Sequence, residues 1–235
     1  MNRFLPSLLT LLVLAFTEAV SAGGGVISFS TVMLDSTGKF FFTYPTALLN
    51  KAALQELQKN FIRQKFGEKF LKQEPVAALK LYKNQNRELE YLFDKVSLPL
   101  PGIVQFETSY YAYSNDVAHG ISSFNVGFYS LSDGKKIELS SFFDEGWEKE
   151  VTELIIKEFL YSQNLQSLSD YGYTQKESDF IPVNAKISEY GGLDFIYPVY
   201  KIAPYATGEQ VVFLSWNALK PYLNKKSIIY QRLTW

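Results

Sequence analysis

The sequence of 235 residues contains no cysteine. Disulfide bonds and thiolate chemistry are therefore excluded, and so are zinc sites that depend on sulfur ligands. Histidine is nearly absent as well, with His119 as the single example. Because a structural zinc ion takes about four ligands, we expect no metal site. A chain without cross-links relies on its hydrophobic core for stability.

The sequence also has almost no excess of charge of either sign. It carries 23 lysine and arginine residues against 24 aspartate and glutamate residues, a net charge of −1. The basic cluster Lys225-Lys226 is too short to form a nucleic-acid surface. We therefore expect neither nucleic acid nor anionic lipid as a partner. Phosphate-binding loops, dinucleotide fingerprints and EF-hand loops are absent, so we expect no cofactor.

One long hydrophobic run occurs, close to the N-terminus, and it is too short for a membrane span. It covers residues 5–16 and stops before Glu18, whereas a spanning helix needs roughly 20 apolar residues. Small residues at positions 20–22 suit a signal peptidase. We predict a signal peptide over residues 1–22 and a secreted or periplasmic mature chain without a membrane span. An uncleaved membrane anchor is the alternative.

Aromatic residues, in contrast, are abundant, with 19 Phe, 16 Tyr and 3 Trp, and they can fill a sizeable core. Many lie in segments of alternating polarity, which indicates β-strands. In residues 103–114, for example, Val104 and Phe106 alternate with Gln105 and Glu107. Further strands are predicted in residues 26–34, 39–44, 121–131, 180–190, 193–197, 211–214 and 227–235. Tight turns are predicted at residues 35–38 and 132–135, the second with Gly134 at positive φ.

Two segments have the apolar spacing of helices. The first covers residues 47–66, with Thr46 as its N-cap and Gly67 as its end. In the second, apolar residues recur from Trp147 to Phe159 at offsets of 0, 4, 7, 8 and 12, which we interpret as a core stripe. Residues 75–96 are compatible with a strand pair or with a helix and a strand.

These patterns together predict an α+β fold with antiparallel sheets packed against two main helices. Pro99, Pro101 and Gly102 interrupt the regular patterns near the middle of the chain. Because such residues commonly mark boundaries, we predict two α+β subregions, residues 23–100 and residues 101–235.

The segment from residue 193 to residue 214 reads as strand, shaped loop and strand. Pro198, Pro204 and Gly208 argue against an unbroken sheet here. Pro204 stiffens the backbone beside Tyr205, a combination that binds a partner at low entropic cost. Tyr200 lies on the same loop, so Pro204, Tyr205 and Tyr200 are candidate partner-binding residues. The alternative is a tyrosine-rich core whose hydroxyl groups reach the surface.

His119, which lies in a turn between two predicted strands, is the one candidate for a general base. A nucleophile elbow of the Gly-x-Ser-x-Gly type is absent, and a structural role in bonding the loop backbone is the alternative. Carboxylate pairs for glycoside cleavage depend on spatial proximity, and Asp94 and Asp144-Glu145 are available. We favour a role for Asp144-Glu145 at the positive end of the following helix.

The order of these segments resembles a known family. Residues 110–143, YYAYSNDVAHGISSFNVGFYSLSDGKKIELSSFF, are followed by a predicted helix and then by residues 192–214, GLDFIYPVYKIAPYATGEQVVFL. This pattern resembles the DUF3298 domain, with its Ala-His turn, its glycine turn and its Pro-Tyr-x-x-Gly loop. Residues 42–61, FTYPTALLNKAALQELQKNF, are similar to the DUF4163 region that precedes it. The resemblance covers about residues 40–220.

The resemblance carries expectations about function. The DUF3298 domain forms the extracytoplasmic part of the lysozyme-binding anti-sigma factor RsiV and accompanies peptidoglycan deacetylases of the PdaC type. It implies a non-catalytic binding module of the cell envelope, with a lysozyme-like muramidase or peptidoglycan as ligand. Pro204 and Tyr205 are then the first expected contacts, and His119, Gly120 and Tyr200 the next.

Two other functions stay open at this point. One is a small envelope hydrolase or esterase that acts on cell-wall glycan with His119 as base. The other is a structural interaction protein that binds neither ligand.

Overall fold

The structure of the protein is a computed structural model. It describes residues 17–22, 25–34, 39–86, 88–113, 118–171 and 175–233. Three antiparallel sheets and five α-helices lie within these ranges. The predicted α+β fold is confirmed.

The strands are β1 (Thr17–Ala22), β2 (Gly25–Met33), β3 (Phe41–Ala47), β4 (Leu89–Leu100), β5 (Ile103–Ala112), β6 (Ile121–Ser130), β7 (Lys136–Ile137), β8 (Ala185–Ser188), β9 (Gly192–Tyr197) and β10 (Gln210–Ser215). The helices are α1 (Lys51–Phe66), α2 (Pro75–Gln85), α3 (Trp147–Ser162), α4 (Trp216–Leu219) and α5 (Ile228–Arg232). The strand orders in the three sheets are β1-β2-β3, β4-β5-β6-β7 and β10-β9-β8.

The sheet β4-β5-β6-β7 lies between two hydrophobic cores. Val104 and Phe106 of β5 face the core that contains α1, where the ring of Phe106 stacks on that of Phe61 with centroids 4.1 Å apart. Ile103 belongs to the opposite core, which contains α3 and the sheet β10-β9-β8. The alternation predicted for β5 is therefore confirmed, and each of its faces packs against a separate layer.

The two main helices form as predicted, with one correction at the start of α1. Its N-cap is Asn50, whose side-chain oxygen accepts hydrogen bonds from two amide groups of the first turn. The predicted N-cap Thr46 is wrong, because β3 continues through Pro45 to Ala47, with Thr46 as an extra residue opposite the step from Ser28 to Phe29 of β2. Such an irregularity accommodates a proline within a sheet. Gly67, with φ of 94°, ends the helix as predicted.

Helix α3 carries the predicted apolar stripe. Trp147, Val151, Ile155 and Phe159 are all buried in one core. The interpretation of this stripe as core is confirmed.

The structure settles one segment for which two secondary structures were predicted and corrects the prediction for another. Residues 75–96 form a helix followed by a strand, with Pro75 at the first position of α2, where its missing N–H costs nothing. The final strand predicted for residues 227–235 is wrong, because residues 228–232 form α5. Ser227 caps this helix by accepting a hydrogen bond from the Tyr230 amide (3.2 Å), and a short apolar run alone does not distinguish strand from helix.

Two turns between strands contain a glycine at positive φ. Gly134 has the predicted positive φ, 74°, in the turn between β6 and β7. Gly102 has φ of 79° and closes the hairpin of β4 and β5. The predicted division of the chain after residue 100 falls at this hairpin turn, and the strands on its two sides share one sheet.

The N-terminal region is described only in part. The hydrophobic run at residues 5–16 and the predicted turn at residues 35–38 lie outside the described residues. Residues 17–22 form β1, which pairs with β2. Among the residues that the structure describes, no helix is long and apolar enough to cross a membrane.

Candidate functional site

The loop between β9 and β10 is held by apolar anchors and presents aromatic rings. Ile202 and Ala203 are buried, and they are followed by Pro204 in an extended conformation and a 3-10 turn over Tyr205–Thr207. Gly208 takes positive φ at the end of that turn. The chain around Tyr205 is therefore fixed by its own backbone, as the proline-stiffened sequence predicted.

The structure brings the five predicted binding residues together. The ring of Tyr205 stacks on that of His119, with centroids 4.4 Å apart and planes 19° from parallel. The ring of Tyr200 also lies beside that of Tyr205, with centroids 5.4 Å apart. The Tyr205 hydroxyl donates a hydrogen bond to the carbonyl oxygen of Gly120 (3.2 Å). The loop that begins after β9 thus contacts the residues that precede β6, and Pro204 adjoins this contact.

Gly120 is required by the close approach of Tyr111. A Cβ atom at position 120 would lie 2.1 Å from Cζ of Tyr111, far inside contact distance. Tyr111 in turn stacks on Tyr91 of the neighbouring strand, with centroids 5.5 Å apart and planes 18° from parallel. We call the surface formed by Tyr91, Tyr111, His119, Tyr200 and Tyr205 the aromatic platform.

The platform continues along β4. Phe93 lies next to Tyr91, with centroids 5.3 Å apart, and Phe41 of β3 stacks on Phe93 at 5.9 Å. This extension does not follow from the sequence, because the pattern of residues 75–96 is compatible with two secondary structures. Once β4 is known to be a strand, the spacing of Tyr91 and Phe93 by two residues places both rings on one face.

Tyr197, at the end of β9, does not belong to the aromatic platform. Tyr197 is buried in the α3 core, and its hydroxyl donates a hydrogen bond to the Phe180 carbonyl oxygen (2.6 Å). Tyr197 therefore follows the core alternative, whereas Tyr200 is 55% exposed.

A carboxylate lies at the edge of the platform. Burial raises the pKa of Glu209, and the nearby Lys186 ammonium partly offsets that effect. Burial also raises the pKa of Tyr91, with smaller contributions from Tyr111 and Glu209. The edge of the platform thus combines flat apolar rings with hydroxyl groups and a hydrogen-bond acceptor.

This arrangement suits stacking more than acid–base chemistry. His119 is exposed, and its ring is engaged with Tyr205. Within the described ranges, no carboxylate forms a hydrogen bond or ion pair with His119 to orient it as a base. No group of three or more His, Asp or Glu side chains that could hold a metal occurs in that part of the chain.

Comparison with known proteins identifies the fold. No protein-family model matches the chain. No curated protein matches it either. Among solved structures, it is similar to a DUF3298 family member from Bacteroides fragilis, with a TM-score of 0.69 and 18% identity over 94% of this chain and 97% of that chain. It is also similar to a DUF3298 family protein from Pseudomonas aeruginosa, with a TM-score of 0.58 and 19% identity over 91% of this chain and 94% of that chain.

At these identities the comparison establishes the architecture and leaves activity open. The resemblance of the N-terminal region to DUF4163 stays a prediction. The chain has the α+β fold of DUF3298 proteins of known structure.

Proposed function

We propose that this chain is a secreted or periplasmic, non-catalytic binding module of the cell envelope. The observation that carries the proposal is the convergence of Tyr200, Tyr205 and His119 into one exposed cluster of rings. Exposed aromatic rings with fixed positions are typical of binding surfaces, since they contribute contact area at a low entropic cost. The loop anchors beneath them keep this surface formed before a ligand arrives.

The ligand that this surface fits best is the glycan of peptidoglycan. A sugar ring presents an apolar face of C–H groups that stacks on an aromatic ring, while its hydroxyl groups bond to polar atoms at the edge. The Tyr91 and Tyr111 pair offers a second stacking position beside Tyr205. A lysozyme-like muramidase, also implied by the resemblance, would need a protein interface of about 800 Å² on each partner.

Calorimetric titration tests the proposal. The purified protein is titrated with soluble muropeptides and, separately, with a c-type lysozyme. We expect binding to muropeptides. We also expect Tyr205→Ala to weaken it by about 2 kcal/mol or more, a typical loss for a central aromatic contact. Tyr161→Ala is the matched control, since Tyr161 is 80% exposed on α3 and lies outside the platform.

Three other results of these titrations would lead to different conclusions. Binding of lysozyme alone would make this protein a muramidase-binding module. An absence of binding to either ligand would contradict the proposal. Equal losses in Tyr205→Ala and Tyr161→Ala would show that the ligand does not contact the platform.

A further inference from the structure

A cleft of about 490 Å³ lies between the sheet β4-β5-β6-β7 and the sheet β10-β9-β8. Lys95, Gln105 and Glu107 line it from the first sheet, and Lys186, Glu189 and Asp194 line it from the other side. None of these residues belongs to the aromatic platform. The cleft therefore provides a second site with a polar and charged lining.

The deepest charged group in the cleft is the carboxylate of Glu107, which is only 6% exposed. Gln105 donates a hydrogen bond to one of its oxygens (Nε2 to Oε1, 3.0 Å). The orientation of Gln105 is fixed, because its own Oε1 accepts a hydrogen bond from the Ile187 amide (2.7 Å). The second oxygen of Glu107 receives no hydrogen bond from any described residue.

This oxygen is not fully buried, so a donor group of a ligand can reach it from the cleft. Lys95 lies directly opposite Glu107 in the pairing of β4 and β5. It is exposed and forms no ion pair with the residues that the structure describes. The Lys95 ammonium therefore stands nearer to solvent than the carboxylate does.

The other wall repeats this arrangement. The Lys186 ammonium lies 3.8 Å from a carboxylate oxygen of Asp194, and their side chains are 33% and 14% exposed. On both walls a carboxylate lies deeper than the lysine beside it. Glu189 is exposed and also lines the cleft, so the mouth carries Lys95, Lys186 and Glu189, whereas the floor carries the Glu107 and Asp194 carboxylates.

We propose that this cleft binds a zwitterionic amino-acid group, in which an ammonium and a carboxylate are attached to one carbon. The ammonium bonds to Glu107 and faces Asp194 at the floor. The carboxylate faces Lys95 and Lys186 at the mouth. Both walls place opposite charges side by side, which matches a ligand whose own opposite charges are adjacent.

Ligands of other classes fit the lining less well. A simple anion would face the Glu107 and Asp194 carboxylates, and an apolar molecule would leave the second oxygen of Glu107 without a donor. A simple cation would offer no anionic group to the Lys95 ammonium. The inference does not depend on the function proposed for the aromatic platform.

The test uses Nε-acetyl-lysine, which carries a free ammonium and carboxylate on one carbon and ends in an amide arm. Two matched probes lack one charge each: Nα,Nε-diacetyl-lysine has no ammonium, and Nε-acetyl-lysine amide has no carboxylate. Both enantiomers are titrated into the ¹⁵N-labelled protein. The Ile187 amide and the Trp216 indole, whose residues line the cleft, report binding through their chemical shifts.

We expect saturable shifts at these two positions with the zwitterion and none with either singly charged probe. Glu107→Gln keeps the shape of the side chain and removes its charge, and it should weaken binding by about thirtyfold or more. Lys95→Met should weaken binding by about tenfold, whereas Lys149→Met on α3, 81% exposed, should leave it unchanged.

Equal shifts with all three probes, or no shift with the zwitterion, would overturn the proposal. If Glu107→Gln does not fold, Lys95→Met decides alone, because Lys95 is exposed and its loss leaves the core intact. Tyr205→Ala should bind the zwitterion like the wild type. A failure of muropeptide binding in that variant is then separable from a failure at the cleft.

Discussion

The ammonium of Lys65 lies 2.6 Å from a carboxylate oxygen of Asp94, and neither side chain has any exposed surface. Lys65 also donates a hydrogen bond to the Phe41 carbonyl oxygen, and Asp94 accepts one from the Thr43 amide. The pair thus joins α1 to β3 and β4. Burial lowers the pKa of Lys65, and the attraction of Asp94 works against that effect.

Removal of one charge from the Lys65–Asp94 ion pair should destabilise the protein strongly. Lys65→Met leaves the Asp94 carboxylate buried without its cation, and we expect a loss of about 3–5 kcal/mol in the free energy of unfolding. The double variant Lys65→Met with Asp94→Asn should recover most of this loss, because asparagine is neutral and still accepts from Thr43. Urea denaturation measures both. A single variant as stable as the wild type would refute the structural role of the pair.

Gly120 should tolerate no side chain while Tyr111 is present. We expect Gly120→Ala to destabilise the protein by about 1–3 kcal/mol, as overpacking does, because the Tyr111 ring must move. Tyr111→Ala removes that ring, so Gly120→Ala should cost much less in the Tyr111→Ala background. Thermal denaturation of the wild type, the two single variants and the double variant gives the coupling free energy between positions 111 and 120. Additive effects of the two changes would exclude the close contact.

His119 distinguishes a binding module from a glycan hydrolase. If its ring only stacks on Tyr205, His119→Ala should weaken muropeptide binding by about 0.5–1.5 kcal/mol, and neither protein should release products from peptidoglycan. A general base would instead contribute about 10²–10⁴-fold to a measurable rate. Chromatography of digested peptidoglycan supplies the readout. Products formed by the wild type and lost in His119→Ala would favour the hydrolase.

Alkaline pH should destabilise the fold through two buried tyrosines. Burial raises the pKa of both Tyr129 and Tyr197, so the folded state holds these protons more tightly than the unfolded state does. The resulting stability is complete below about pH 10, the ordinary tyrosine pKa, and is lost as the pH rises beyond it. Melting temperatures between pH 8 and pH 11 test this. Tyr197→Phe should reduce the slope above pH 10, and an unchanged slope would contradict the assignment.

The sequence predicted the elements that have long, regular patterns. The strand β5 and the helix α3 repeat their apolar residues over several periods, so their buried faces follow from spacing alone. Helix α5 has five residues and offers no full period, which is why its apolar run was mistaken for a strand. At the start of α1, Thr46 belongs to β3, which continues to Ala47, and the N-cap is Asn50; local sequence does not show that the strand continues past Pro45.

The candidate sites depended on contacts that are distant along the chain. Tyr205 was singled out from its own neighbours, but its stacking on His119 joins two loops separated by most of the C-terminal half. Gln105 and Glu107 were placed correctly on the face opposite Phe106. That face is covered by the sheet β10-β9-β8, so these polar residues are buried at the floor of a cleft. Spacing within one strand cannot reveal what packs upon it.

The position of β5 between the two cores also determines how cooperatively the protein unfolds. Residues 103–108 are buried along both faces of this strand, so each hydrophobic core uses it as a wall. Unfolding of either core would expose one face of β5 to solvent and weaken the packing of the other core against the opposite face. The protein should therefore melt as one cooperative unit, with tryptophan fluorescence and far-ultraviolet circular dichroism following the same curve.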